Sequence, residues 1–175
     1  MPLRRLPIVL LVACTLVSAQ PAPTARAAPP SVDAPPSANA LWDWPLAPAH
    51  TVTRPFEPPP GPYAAGHRGV DLAGDTGQQV LAAGAGTVAF AGMVAGRPVV
   101  SVDHPNGLRT TYEPVRPGLA AGQPVSRGQP LGVLDGGHAG CPVDACLHWG
   151  LRRAEIYLDP LSLLRPPRVR LLPWP

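Results

Sequence analysis

Six residues, Gly66-His67-Arg68-Gly69-Val70-Asp71, put an imidazole and a carboxylate four positions apart between glycines. That pairing is half of a metal site. A catalytic zinc ion takes three protein ligands of mixed nitrogen and oxygen type and keeps one position open for water, so a distant third ligand is expected. His148, in Ala145-Cys146-Leu147-His148-Trp149, is the candidate. A lone His-x-x-x-Asp pair arises often by chance on a solvated surface, and only the rest of the chain can raise it above that.

The elements that must position these residues read as strands. Thr51 to Phe56 is a short strand candidate that breaks into Glu57-Pro58-Pro59-Pro60-Gly61-Pro62, a rigid loop leading to His67. Strands are expected at Val80-Leu81-Ala82, at Gly86 to Ala91 and at Val99 to Asp103. The last of these turns through His104-Pro105-Asn106-Gly107 into Leu108 to Tyr112. Asn-Gly between two such runs is a strong hairpin signal. Nothing from Leu41 to Leu151 carries a long helical period, so the predicted class is mainly antiparallel β.

An internal echo links Gly77-Gln78-Gln79-Val80 with Gly122-Gln123-Pro124-Val125, as two similar hairpin units packed on each other would produce. Lipoyl- and biotin-carrier domains use hairpins of that kind but need an acceptor lysine. All 14 basic residues are arginine, so that alternative fails.

The chain has 175 residues, room for one domain with a leader and a linker. Met1 to Arg5 followed by the apolar run Leu6 to Val17 reads as a secretory signal peptide, since a bilayer span needs roughly 20 residues. Cleavage is expected after Ala19, or as late as Ala27. Leu11-Val12-Ala13-Cys14 also resembles a lipoprotein box, with lipid on Cys14 as the alternative anchor. Residues 20–40 are Pro, Ala and Ser with few large apolar side chains, too few to offset the entropy of ordering, and read as an extended tether. The folded domain is expected over 41–164, with a basic, Pro-rich tail over 165–175 that holds Arg165, Arg168 and Arg170. The formal charge of +3 falls to +1 without Arg4 and Arg5, too little to argue for nucleic acid. In an oxidising compartment Cys141 and Cys146 are expected to form a disulfide.

From about Trp44 to Leu164 the order of motifs resembles peptidase family M23, the zinc metallopeptidases of lysostaphin and LytM type. The resemblance is carried by Gly66 to Asp71 with Gly77, Val80, Ala82, Gly86 and Val88, then Val102-x-His104 with Gly107 and Tyr112. It continues through Gly122-Gln123-x-Val125-x-x-Gly128-Gln129-x-Leu131-Gly132, Leu147-His148-Trp149-Gly150-Leu151-Arg152 and Asp159-Pro160-Leu161. It implies an antiparallel β-sheet groove domain of barrel-sandwich-hybrid type. It also implies one zinc ion on His67, Asp71 and His148, and cleavage of peptide cross-links in bacterial peptidoglycan.

Two departures fall where family members usually supply catalytic histidines. Cys146 stands two residues before the last ligand, and Pro114 two residues after the tyrosine. Cys146 shares a strand face with His148, so beside the disulfide it has two other possible jobs, a fourth zinc ligand or a reactive thiol. Glu113 is a candidate general base, although one residue's shift from position 114 is expected to turn it away from the groove. His138, in Asp135-Gly136-Gly137-His138-Ala139-Gly140-Cys141, is the better candidate, because the disulfide could hold that loop over the groove. His50 and His104 are expected to be structural or exposed. Two functions follow from these residues: a secreted, monomeric zinc endopeptidase acting on peptidoglycan, or an inactive module that binds peptidoglycan or activates a cell-wall amidase.

Overall fold

The computed structural model describes residues 41–48, 51–61 and 63–165; the leader, Cys14, the linker, His50 and the tail beyond Arg165 lie outside them. The strands are β1 (Val52–Arg54), β2 (Gly69–Gly74), β3 (Gln79–Leu81), β4 (Gly86–Val94), β5 (Arg97–Asp103), β6 (Leu108–Glu113), β7 (Val115–Pro117), β8 (Pro124–Val125), β9 (Pro130–Leu134), β10 (Ala145–Arg153) and β11 (Ile156–Leu158). A 3-10 helix at Pro160–Leu163 follows, its first turn capped by the Asp159 carboxylate. No α-helix occurs among the described residues, as the missing helical period requires.

Strand β6 shows how the pattern folds. Leu108, Thr110 and Tyr112 are buried while Arg109, Thr111 and Glu113 are only partly so, the period-two alternation of a strand with one face in the core. Strand β10 does the same with Leu147, Trp149 and Leu151 inward. Eight strands form one antiparallel sheet in the order β1-β2-β10-β6-β5-β4-β8, with β11 also paired to β10. A second sheet runs β3-β9-β7. Its Val80, Leu131, Leu134 and Val115 share one buried cluster with Leu72, Val100, Tyr112 and Trp149 of the larger sheet, which places the core between the two. Each leucine or valine buried there contributes roughly 1.5–3 kcal/mol. Trp42 and Trp44 pack on the same core.

The Asn106-Gly107 turn closes the β5–β6 hairpin, with the Gly107 N–H donating to the His104 carbonyl at 3.0 Å. The Gly-Gln echo has a different origin from two packed hairpin units: β3 and β8 lie in different sheets. What repeats is a turn. Gly77, Gly122 and Gly128 each sit at positive φ (86°, 88° and 76°). The following Gln78, Gln123 and Gln129 each donate a backbone N–H back three residues. Their side-chain oxygens accept the N–H of Asp75, Ala120 and Ser126 respectively. A third turn position with φ > 0 favours glycine, and the glutamine closes the turn a second time.

Candidate metal centre

Strand β10 lies between β2 and β6, and its pairing fixes which side chains meet. His148 is opposite Asp71 of β2 on one side and opposite Glu113 of β6 on the other. Directly opposed residues project from the same face of a sheet, so all three enter the groove on the side away from the core. His67 precedes β2 and is fixed by two backbone hydrogen bonds with Glu57, at 2.8 and 3.0 Å.

Three atoms converge. His67 Nε2 lies 3.0 Å from Asp71 Oδ1 and 3.0 Å from His148 Nδ1, and the last two are 2.9 Å apart. His67 Nδ1 is 2.7 Å from the Pro55 carbonyl, which can only accept, so the ring proton sits on Nδ1 and the Nε2 lone pair faces the carboxylate. One hydrogen on His148 Nδ1 cannot serve both an imidazole lone pair and a carboxylate oxygen. A cation would resolve that shortage. Tetrahedral ligands at roughly 2.0–2.1 Å from zinc stand a little over ~3 Å from one another, so the donor set fits the ion in both chemistry and spacing. A Cβ on Gly69 would lie 2.7 Å from His148 Nε2 and 2.5 Å from the Trp149 carbonyl oxygen, so this glycine makes room for the ligand ring.

The second oxygen of Asp71 meets His138, with Nε2 to Oδ2 at 3.1 Å. Burial pushes the Asp71 carboxyl upward, but hydrogen bonds from His138 and His148 together with the nearby His138 charge hold it well below the usual carboxylate range. The same bond raises the pKa of His138 against the opposing effect of its own burial, with the charges of Asp71 and Glu113 adding to the rise. His138 reaches this position because its loop is tied down: Cys141 and Cys146 form a disulfide, joining the loop to β10. That removes the two other jobs considered for Cys146, since its sulfur is a half-cystine and is not among the converging ligand atoms.

The expectation for Glu113 is corrected. Tyr112 is buried in the core, so the residue after it must face outward, and Glu113 lines the groove opposite His148. Its carboxylate is held by Arg97 Nε at 2.6 Å. His104 is structural: it is buried, with Nδ1 2.8 Å from the Ala85 carbonyl and Nε2 2.8 Å from the Thr110 hydroxyl. Sequence reasoning missed the Pro55 carbonyl, the Gly69 clearance and Arg97, all of which depend on partners distant along the chain. The groove has a volume of about 900 Å³ and is lined at one end by His67, His138, His148 and Glu113.

Residues 65–160 match the description of peptidase family M23. The chain belongs to that family. The match spans His67, Asp71 and His148, His138 and both cysteines of the disulfide. Relatives include proteins of Mycobacterium tuberculosis and Mycobacterium bovis, each named only as an uncharacterized protein. Each is 52% identical over 134 residues, which is 74% of this chain and 54% of the relative. The chain thus spans about half the length of these relatives. Csd3 of Helicobacter pylori is similar at 28% identity and a TM-score of 0.60, over 76% of this chain and 37% of that one. A zinc-containing peptidase of Vibrio cholerae has a TM-score of 0.57 at 22% identity, over 68% and 38% of the two chains. The catalytic domain of lysostaphin, an antimicrobial peptidase from Staphylococcus simulans, gives 0.55 at 21%, over 66% and 92%. These last two show the shared fold.

Proposed function

We propose that this M23 chain is a secreted zinc endopeptidase that cleaves peptide cross-links of peptidoglycan. The observation that carries the reading is the triangle of His67, Asp71 and His148, whose donor atoms lack hydrogens for one another at the end of an open groove. When bound, zinc supplies a water with pKa lowered to roughly 7 and polarises the scissile carbonyl.

The chain's own residues have separate tasks in this reading. Glu113 takes up the proton of the attacking water, a role supported by its position opposite His148 on the groove face. Arg97 orients that carboxylate. His138 donates a proton to the leaving amine, a role supported by the Asp71 bond that favours its protonated form. The disulfide keeps His138 over the groove. Location outside the cytoplasm is supported by the signal-like leader and by the disulfide, which persists in oxidising compartments.

The test is to load the full, disulfide-bonded chain with zinc and follow new amino termini released from purified peptidoglycan. Release is expected, together with a loss of about 10²-fold or more in kcat/KM for His138→Ala and for Glu113→Gln. No zinc under any loading condition would remove the metal site itself. Zinc without release, unaffected by His138→Ala, would favour the second reading. That alternative is a non-hydrolytic module that binds peptidoglycan or activates an amidase, and its specific support is Cys146, locked in a disulfide where the family usually carries a histidine.

A further inference from the structure

The groove face carries a second charged cluster, away from the metal centre, and strand register fixes it. Arg152 of β10 is opposite Arg109 of β6 on one side and Tyr157 of β11 on the other. Period two puts both arginines on the face of His148 and Glu113, the pair four residues along the same two strands. At about 3.3 Å per residue the two pairs stand roughly 13 Å apart. Gly150 and Thr111 form the pair between them, so the floor from one end to the other is low. Arg68 leans over Tyr157, its guanidinium carbon 5.4 Å from the ring centroid. All of these residues line the groove that holds His67, His138 and His148.

Like charges directly opposed across a ladder repel. Asp103 answers Arg109 with both carboxylate oxygens. Arg152 meets the Ala154 carbonyl at 3.3 Å and the Glu155 carboxylate at 3.7 Å, and Glu155 is 96% exposed. Water screens such a pair almost completely. Arg109 is therefore answered within the groove, while the carboxylate beside Arg152 stands in solvent.

We propose that this end of the groove is an anion subsite: Arg152, backed by Arg109 and Arg68, binds a carboxylate carried by the substrate peptide about four residues from the bond held at the metal centre. The spacing follows because an extended peptide also rises about 3.3 Å per residue. The planar guanidinium fork matches the two oxygens of a carboxylate. The peptide nature of the ligand rests on the peptidase reading; the anion preference rests on the arginines.

The experiment measures binding by fluorescence anisotropy, with the full chain zinc-loaded and metal-free. The probes are two labelled alanine-rich hexapeptides with blocked, uncharged termini, one with Glu near the end and the other with Gln in its place. The wild type is expected to bind the Glu peptide about tenfold more tightly, the scale of one charge-assisted hydrogen bond. Arg152→Gln should bind both equally, Arg152→Lys should keep part of the preference, and salt raised from about 0.05 to 0.5 M should erode it. Equal binding by the wild type overturns the proposal. So does a preference that survives in Arg152→Gln, which would send the carboxylate to the metal instead. Should Arg152→Gln fail to fold, Arg68→Gln is expected to weaken the preference and its indifference would be equally decisive. Failure of the peptidase reading has a different signature: no peptide release with the anion preference intact.

Discussion

His67 and His104 are equally buried, at 5% and 6% exposure, yet their surroundings differ in kind. Each has Nδ1 against a backbone carbonyl, Pro55 for one and Ala85 for the other. The difference lies at Nε2. For His104 that nitrogen meets a hydroxyl, which can donate, and the hydroxyls of Thr110 and Tyr112 continue the chain at 2.9 Å. For His67 it meets a carboxylate and a second imidazole. Burial alone does not separate a structural histidine from a candidate ligand; the hydrogen count around it does.

The sharpest way to break this contrast is His148→Ala. Zinc stoichiometry by atomic absorption is expected to fall from one to zero, while the urea midpoint of the metal-free chain stays near wild type. A metal-free chain that loses as much stability as a core variant would show the triangle to be a fold element instead. His104→Ala should behave in the opposite way, retaining zinc but losing about 3 kcal/mol in urea unfolding, because the Thr110 hydroxyl and the Ala85 carbonyl lose their buried partner and a cavity remains. Retained stability would place His104 outside the fold's support. Cys141→Ala with Cys146→Ala should cost about 2 kcal/mol, as expected for so short a loop. It should also lower kcat/KM through His138 while zinc affinity holds. Unchanged turnover would dissociate the loop from the chemistry.

The smallest expected effect is on pH dependence. Burial lowers the pKa of His104 from 6.5, against the raising effects of the Ala85 bond and the Asp103 charge. The unfolded chain therefore binds the proton first. The stabilising contribution of neutral His104 is full above pH 6.5 and declines as the pH falls through that value toward the lower folded one. It amounts to about 1.4 kcal/mol for each unit of lowering. Urea midpoints between about pH 5 and 7.5 should show a flatter slope in His104→Gln than in the wild type. Equal slopes would assign the acid sensitivity elsewhere.

Part of the candidate site was legible because its residues follow local spacing: His67 and Asp71 are four apart, and Cys141 and Cys146 sit close enough to bridge. The hairpin at Asn106-Gly107 was legible for the same reason, its turn chemistry being local. The face of Glu113 was misjudged because the alternation was counted from position 114. The buried series Leu108, Thr110 and Tyr112 sets the phase and turns 109, 111 and 113 outward. The Gly-Gln echo was visible, but its cause was a repeated turn and not a repeated domain half. The Pro55 carbonyl and Arg97 gave no signal, since each meets its partner through packing that no short window of residues encodes.

One consequence of β10 concerns time rather than space. Cys146, His148, Gly150 and Arg152 share one face of a strand that inserts between β2 and β6, both of which precede it along the chain. A register slip of one residue would turn all four toward the core together. During synthesis Asp71 and Glu113 therefore wait on strands whose shared partner has not yet emerged. The centre is complete only once β10 is seated between those two strands.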